Sequence, residues 1–167
     1  MEPRTLVMDG SVMNFNSRKK SKQADPKQVF NYACFLLARR NYSRAELLEK
    51  FHTRFVPTEE IFTAALEKLK KLGLQSDENF TENFIRSHSA WGRRRLILEL
   101  NKKGIEENMM KLFLPKEDDE LVRCKDVLEK KLRGEKIPSE YSAKQKLAAF
   151  LARRGFDLDV IREVLGF

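Results

Sequence analysis

The chain is poor in the residues that staple, break or charge a catalytic site. Its 167 residues include 2 Cys, 7 Gly, 5 Pro, 1 Trp and 2 His. Cys34 and Cys124 lie far apart, each inside an apolar helical pattern, so a disulfide framework or a thiolate metal site is not expected and both read as buried free thiols. His52 and His88 belong to no cluster with metal-ligand spacing, and neither a Gly-rich phosphate loop nor a nucleophile elbow is present. Enzymatic chemistry needs a positioned acid–base or metal set; none is found, and no cofactor is expected. The longest apolar stretch, Tyr32 to Ala38, falls far short of the roughly 20 residues that cross a bilayer. With no apolar signal core near Met1, the expectation is a cytoplasmic protein without membrane contact.

What the chain has in quantity is charge. Lys and Arg number 33 against 25 Asp and Glu, for a net +8 and a pI near 9.5. At 41% apolar and 35% charged it is too apolar for general disorder and too charged for one large buried globule. The excess is uneven: residues 1–75 hold 14 cations and 8 anions, so +6 of the +8 lies there, and the rest is nearly balanced. Binding to a polyanion on that side would weaken with salt.

Nearly every Gly and Pro sits at a boundary of a periodic segment, and the segments read as helices. No stretch alternates apolar and polar residues for long, so no strand is expected. Asp25-Pro26 opens a first helix with Val29, Ala33 and Leu36 on one stripe. Ser43 and Glu46 form a capping box ahead of Leu47 and Phe51. A third helix runs from Pro57 to Leu72, and a fourth starts at Asp77. Leu96 and Leu100 mark a fifth, Met109 and Leu112 a sixth, Cys124 and Leu128 a seventh, Leu147 and Leu151 an eighth, Val160 and Val164 a ninth.

The nine segments repeat. Leu96, Leu100, Gly104 and Ile105 match Leu147, Leu151, Gly155 and Phe156 at an offset of 51, and Leu47, Phe51 and Val56 precede the same frame by 49. Helices two, five and eight are then equivalent. The expected organisation is all-α, three tandem three-helix repeats in an elongated, curved array: a flexible basic arm at 1–28 and repeats at 29–75, 76–114 and 115–167. The arm's Arg18-Lys19-Lys20-Ser21-Lys22 run reads as a solvated tail before it reads as a nucleic-acid contact.

Basic pairs close several helices: Arg39-Arg40 before Asn41, Lys102-Lys103 before Gly104, and Arg153-Arg154 before Gly155. Cations in a last turn, followed by a left-handed cap, complement the helix dipole, so capping is one account of them and contact with a partner the other. Arg93-Arg94-Arg95 differs. It sits at a helix start, where three cations oppose the dipole by a few tenths of a kcal/mol or more and point to another use. Trp91, just ahead of it, reads as a hydrophobic staple before an exposed stacking group.

These residues resemble the RecX family, bacterial regulators of the RecA recombinase. The most specific stretch is Ala33-Cys34-Phe35-Leu36-Leu37-Ala38-Arg39-Arg40-Asn41-Tyr42-Ser43-Arg44-Ala45-Glu46-Leu47 with Lys50-Phe51, similar to the family's leucine-rich helix, basic end and Ser-x-x-Glu-Leu box. Leu69 to Gly73, Gly92 with Leu96 and Lys103-Gly104-Ile105, and Phe150-Leu151 with Arg153-Arg154-Gly155-Phe156 extend the likeness over about 29–166. The chain departs where members usually read Gly-Pro and it reads Gly92-Arg93.

The resemblance implies an array lying in the groove of the RecA–single-stranded DNA filament and modulating filament growth, ATP hydrolysis and strand exchange, usually by inhibition. The leading expectation is therefore a non-enzymatic, monomeric regulator. Its candidate contacts with DNA or recombinase are Arg39, Arg40, Arg44, Lys50, Arg54, Arg86, Arg93, Arg94, Arg95, Lys102 and Lys103, with Arg153 and Arg154 behind them because their repeat is charge-balanced. The alternative is a sequence-nonspecific binder of single- or double-stranded DNA built from stacked helix-turn-helix-like units.

Overall fold

The computed structural model describes residues 7–8, 11–12, 25–56 and 58–167. One expectation needs correcting at once. Two short strands, β1 (Val7–Met8) and β2 (Ser11–Val12), pair antiparallel with Val7 opposite Val12 and Met8 opposite Ser11. The sequence between them is Asp9-Gly10, a dipeptide suited to a two-residue hairpin, and the expectation that the chain has no strand and no Asp-Gly turn signal overlooked it. The rest of the expected arm lies outside the described residues, except for 25–28, which cap and open the first helix.

Nine helices follow among the described residues, and their ends obey local chemistry. The first three are α1 (Pro26–Leu37), α2 (Arg44–Arg54) and α3 (Glu59–Lys71). Asp25 accepts a hydrogen bond from the Lys27 N–H at 3.1 Å with Pro26 in the first turn. Ser43 and Glu46 form the full capping box of α2. Pro57, expected to open α3, is outside the described residues. Next come α4 (Asp77–Ser87), capped by Ser76, then α5 (Arg93–Lys102) and α6 (Glu107–Phe113). The last three are α7 (Glu117–Leu132), with four acids in its first turn, α8 (Tyr141–Arg153) and α9 (Leu158–Leu165).

The helices enclose three separate hydrophobic clusters, one per successive triplet. Leu47, Phe51, Phe62 and Leu69 centre the first, Leu96, Leu100 and Met110 the second, Leu151, Phe156 and Ile161 the third. Each such side chain contributes about 1.5–3 kcal/mol on burial. Tyr42, Ile105 and Phe156 enter their clusters from the loops ahead of α2, α6 and α9 rather than from helices. Cys124 is buried, and burial pushes its thiol up to about 12. Cys34 is only half-buried, a correction to the expected pair of buried thiols: its helix turns that position toward the edge of the first cluster.

The left-handed caps are also only partly as expected. Gly104 and Gly155 stand at φ +70° and +86°, but α1 stops at Leu37 with right-handed Ala38, so Arg39, Arg40 and Asn41 follow the helix instead of capping it. Arg133 is the one non-glycine with positive φ among the described residues.

Two joints connect the triplets, and they are versions of one device. At the first, the start of α2 sits on the end of α5: Ser43 Oγ donates to the Lys103 carbonyl at 2.7 Å and the Arg44 N–H to Asp77 Oδ1 at 2.7 Å. At the second, the start of α5 sits on the end of α8. There the Gly92 N–H donates to the Arg154 carbonyl at 2.8 Å, the Arg94 N–H to the Gly155 carbonyl at 3.1 Å, and the Arg93 N–H to Glu120 Oε1 at 2.9 Å. In both, a helix N-terminus meets the carbonyl end of the next unit's middle helix, and an acid from that unit's first helix accepts the first-turn N–H. The dipoles meet in the favourable sense. The approach is close: a Cβ on Gly104 would lie 2.4 Å from Ala45 Cβ, and one on Gly92 2.2 Å from Phe156 N.

Candidate functional site

The joint separates the three arginines of the helix start. Arg93 turns inward, and its guanidinium donates to the Pro115 carbonyl at 2.8 Å. Glu120, 2% exposed, faces the same end of α5. Burial, above all, raises its carboxyl from the ordinary value. The dipole cost foreseen for three cations is therefore met by an acid and a carbonyl end from the next unit. Arg94 is exposed and Arg95 half-buried. Arg94 reaches Asp157 at 3.8 Å, and the Arg95 guanidinium lies 4.1 Å above the Trp91 ring. Trp91 is half-buried against the second cluster, and its ring stands 4.0 Å from that of His88.

Outward from the second joint runs an open groove of about 830 Å³ lined by Arg94, Arg95, Leu98, Glu99, Arg153 and Gly155. Arg153, ranked behind the others on the charge balance of its repeat, belongs to this groove and has no acidic partner among the described residues. Glu99 is held by Lys102 at 2.9 Å, and the Lys102 hydrogen bond keeps its carboxyl below the usual range.

A second groove, about 610 Å³, opens at the first joint. It gathers Arg40, Arg86 and Lys103 around Asn83, Phe84 and His88. Its cations are more fully answered. Glu46 takes Lys103 at 2.7 Å and Arg40 at 3.3 Å, and Arg86 pairs with Glu82 at 2.6 Å. Burial opposes the Glu46 charge, but Lys103, Arg40 and the Ser43 N–H outweigh it and hold the carboxyl below its ordinary value.

The remaining candidates are not brought together. Arg39 lies over Phe35, Arg44 pairs with Glu67 at 3.0 Å, Lys50 is on α2, and Arg54 lies over Tyr32. Arg154 lies over Phe150 and its guanidinium reaches the Ala90 carbonyl. Arg123 of α7 donates to the carbonyls of His88 and Trp91 at 3.0 Å each, so two arginines of the third triplet clamp the loop ahead of Gly92. Sequence reasoning missed Leu98, which lies in the larger groove 55% exposed. The offset of 49 carries the signal, since it aligns Leu98 with Glu49, a surface acid of α2.

The offset also supplies an internal control. Arg94, Arg95 and Leu98 align with Ala45, Glu46 and Glu49. The first joint is built without a cation at the first two positions and with an acid in place of the leucine, so the joint does not require Arg94, Arg95 or Leu98 at the second.

Comparison with known proteins follows this architecture. Family profiles match residues 76–111 as "RecX, second three-helix domain" and residues 117–165 as "RecX, third three-helix domain". The chain is 39% identical over 144 residues to "Regulatory protein RecX" of Chlorobium phaeobacteroides (strain BS1), covering 84% of this chain and 93% of that protein. Against "Regulatory protein RecX" of Chromobacterium violaceum it is 34% identical over 143 residues, covering 85% and 91%. Its fold is similar to the crystal structure of RecX from Lactobacillus salivarius, with a TM-score of 0.72 at 23% identity over 84% of this chain and 94% of that one.

Proposed function

The chain belongs to the RecX family, and from that membership we propose that it binds the RecA–single-stranded DNA filament and inhibits its ATP hydrolysis, extension and strand exchange. It acts by binding, not by catalysis, and its relatives are named as regulatory proteins. The observation that carries the reading is the groove at the second joint. Arg94, Arg95 and Arg153 converge there although the joint itself can be built without the first two. Guanidinium groups are weakly hydrated forks matched to carboxylates and phosphates, which suits them to a polyanionic filament face. Arg40, Arg86 and Lys103 form a second, better-neutralised contact.

The test is recombinase ATPase on single-stranded DNA with increasing amounts of this protein. The wild-type chain is expected to lower the rate at substoichiometric amounts, with an effect that weakens as salt rises. The Arg94→Glu, Arg95→Glu, Arg153→Glu triple variant is expected to need at least tenfold more protein. No change in ATPase or filament length at saturation would sink the reading. Tight binding of the wild-type chain to bare DNA, with no effect on the filament, would favour a plain DNA-binding protein.

A further inference from the structure

The groove at the second joint is not only cationic. Leu98 stands between its arginines, more than half exposed, at the position where α2 carries Glu49. A strand of phosphates has no use for a leucine there. Protein–DNA interfaces are strongly polar and positive, and their apolar contacts are made to base edges or wedged between base steps. Glu99 adds a carboxylate to the same lining. A phosphate backbone would avoid it, whereas a peptide N–H can donate to it. Cations around an exposed aliphatic floor match an acidic polypeptide that buries one apolar side chain, the arrangement of an anchor residue inside a polar rim.

Resting on the reading above, we infer that this groove receives an acidic polypeptide segment of the partner filament rather than its DNA. One apolar side chain of the segment packs on Leu98, and its carboxylates meet Arg94, Arg95 and Arg153. Leu98 is then a specificity-determining contact that separates recognition of the protein from recognition of nucleic acid.

The experiment measures affinity of the full chain for two probes, a fluorescent single-stranded oligonucleotide and the recombinase filament assembled on an unlabelled one. The informative variant is Leu98→Glu, which installs the residue type α2 already tolerates at the equivalent place. Leu98→Gln serves as a second, uncharged version, and circular dichroism verifies both folds. The expected result is filament affinity at least tenfold weaker for both variants and oligonucleotide affinity within twofold of wild type. Equal losses on both probes would make the groove a DNA site and overturn the inference. So would filament affinity unchanged within twofold. A wild-type chain that leaves the filament untouched sinks the functional reading, and this inference with it; wild-type binding that Leu98→Glu does not alter sinks the inference alone.

Discussion

Replacing Gly92 with alanine tests the joint on contact alone. Gly92 stands at φ −77°, a conformation open to any residue, so alanine meets no backbone objection. The obstacle is what lies opposite: a Cβ there would be 2.2 Å from Phe156 N and 2.3 and 2.4 Å from the Gly155 carbonyl carbon and oxygen. These are backbone atoms that cannot rotate away. Ordinary contact begins near 3.5 Å, so α5 must withdraw from α8 by about 1 Å or more. That movement strains the Gly92–Arg154 and Arg94–Gly155 hydrogen bonds and the one from Arg93 to Glu120.

Two neutral bonds at about 0.5–1.5 kcal/mol each and one charged bond at about 1.5–3 kcal/mol set the scale of a complete loss. Partial relaxation, and about 0.4–1 kcal/mol regained because alanine restricts the unfolded chain, leave an expected destabilisation of about 2–4 kcal/mol. Urea unfolding followed by circular dichroism reads it. Because stability in such arrays is a sum of unit and neighbour terms, the weakened joint should also broaden or split the transition. Gly73→Ala is the control. Gly73 is at φ +68° with nothing within 4 Å of a Cβ, so only left-handed strain of about 1–2 kcal/mol is expected, with one transition retained. A Gly92→Ala chain within about 0.5 kcal/mol of wild type, unfolding in one sharp step, would refute the reasoning.

Acid should act on the two joints in opposite senses. Glu46 is held below its ordinary value of 4.5, so its contribution is present above that value and lost as pH falls through the lower folded one. Glu120 is raised, so its contribution is present below 4.5 and lost as pH rises through the folded value. Hydrogen-exchange protection across the second joint should therefore rise as pH falls through the raised Glu120 value, because burial of the carboxylate is relieved, while the Ser43 amide, bonded to Glu46, loosens only at the acid end. Parallel loss at both would contradict the assignment. The Cys124 thiol, pushed up to about 12 by burial, should resist iodoacetamide at about pH 8 until the third cluster opens, read by mass spectrometry of labelled peptides. Labelling of the native chain at the rate of a free thiol would show that the cluster opens without unfolding.

Local chemistry was legible in the sequence because it is written within a few residues. Asp25-Pro26, Ser43-x-x-Glu46 and the apolar stripes each announce a helix, and the offsets of 49 and 51 group the nine into triplets. The joints were not legible, since their partners are distant and follow no period: Arg93 with Glu120, Ser43 with Lys103, Arg154 with Ala90. Gly92 read as a breaker when its role is to let two backbones touch. The arginine triplet read as one feature, yet the structure gives Arg93 to the joint and leaves Arg94 and Arg95 to the groove. Arg93 also brings the N–H that Glu120 accepts, a bond that proline at this position could not make.

The joint also determines where it can be used. Its seat is a left-handed glycine after a middle helix, at Gly155 and, 51 residues earlier, at Gly104. Another 49 residues back, the position at the end of α2 is Phe55, in extended backbone at φ −110° and ψ 159°, with its ring in the first cluster edge-on to Tyr32. A helix start arriving there would meet a side chain where the other joints offer none. The plug fails in the same way at the opposite end. Gly92 projects by 51 onto Ala143, already the third residue of α8, so a helical turn stands where the joint needs a bare N-cap. Repeat arrays need terminal units whose outward faces differ from the inner ones. Here Phe55 and the extra turn at Tyr141 make the outward faces of the first and third triplets differ from the faces that meet at the two joints.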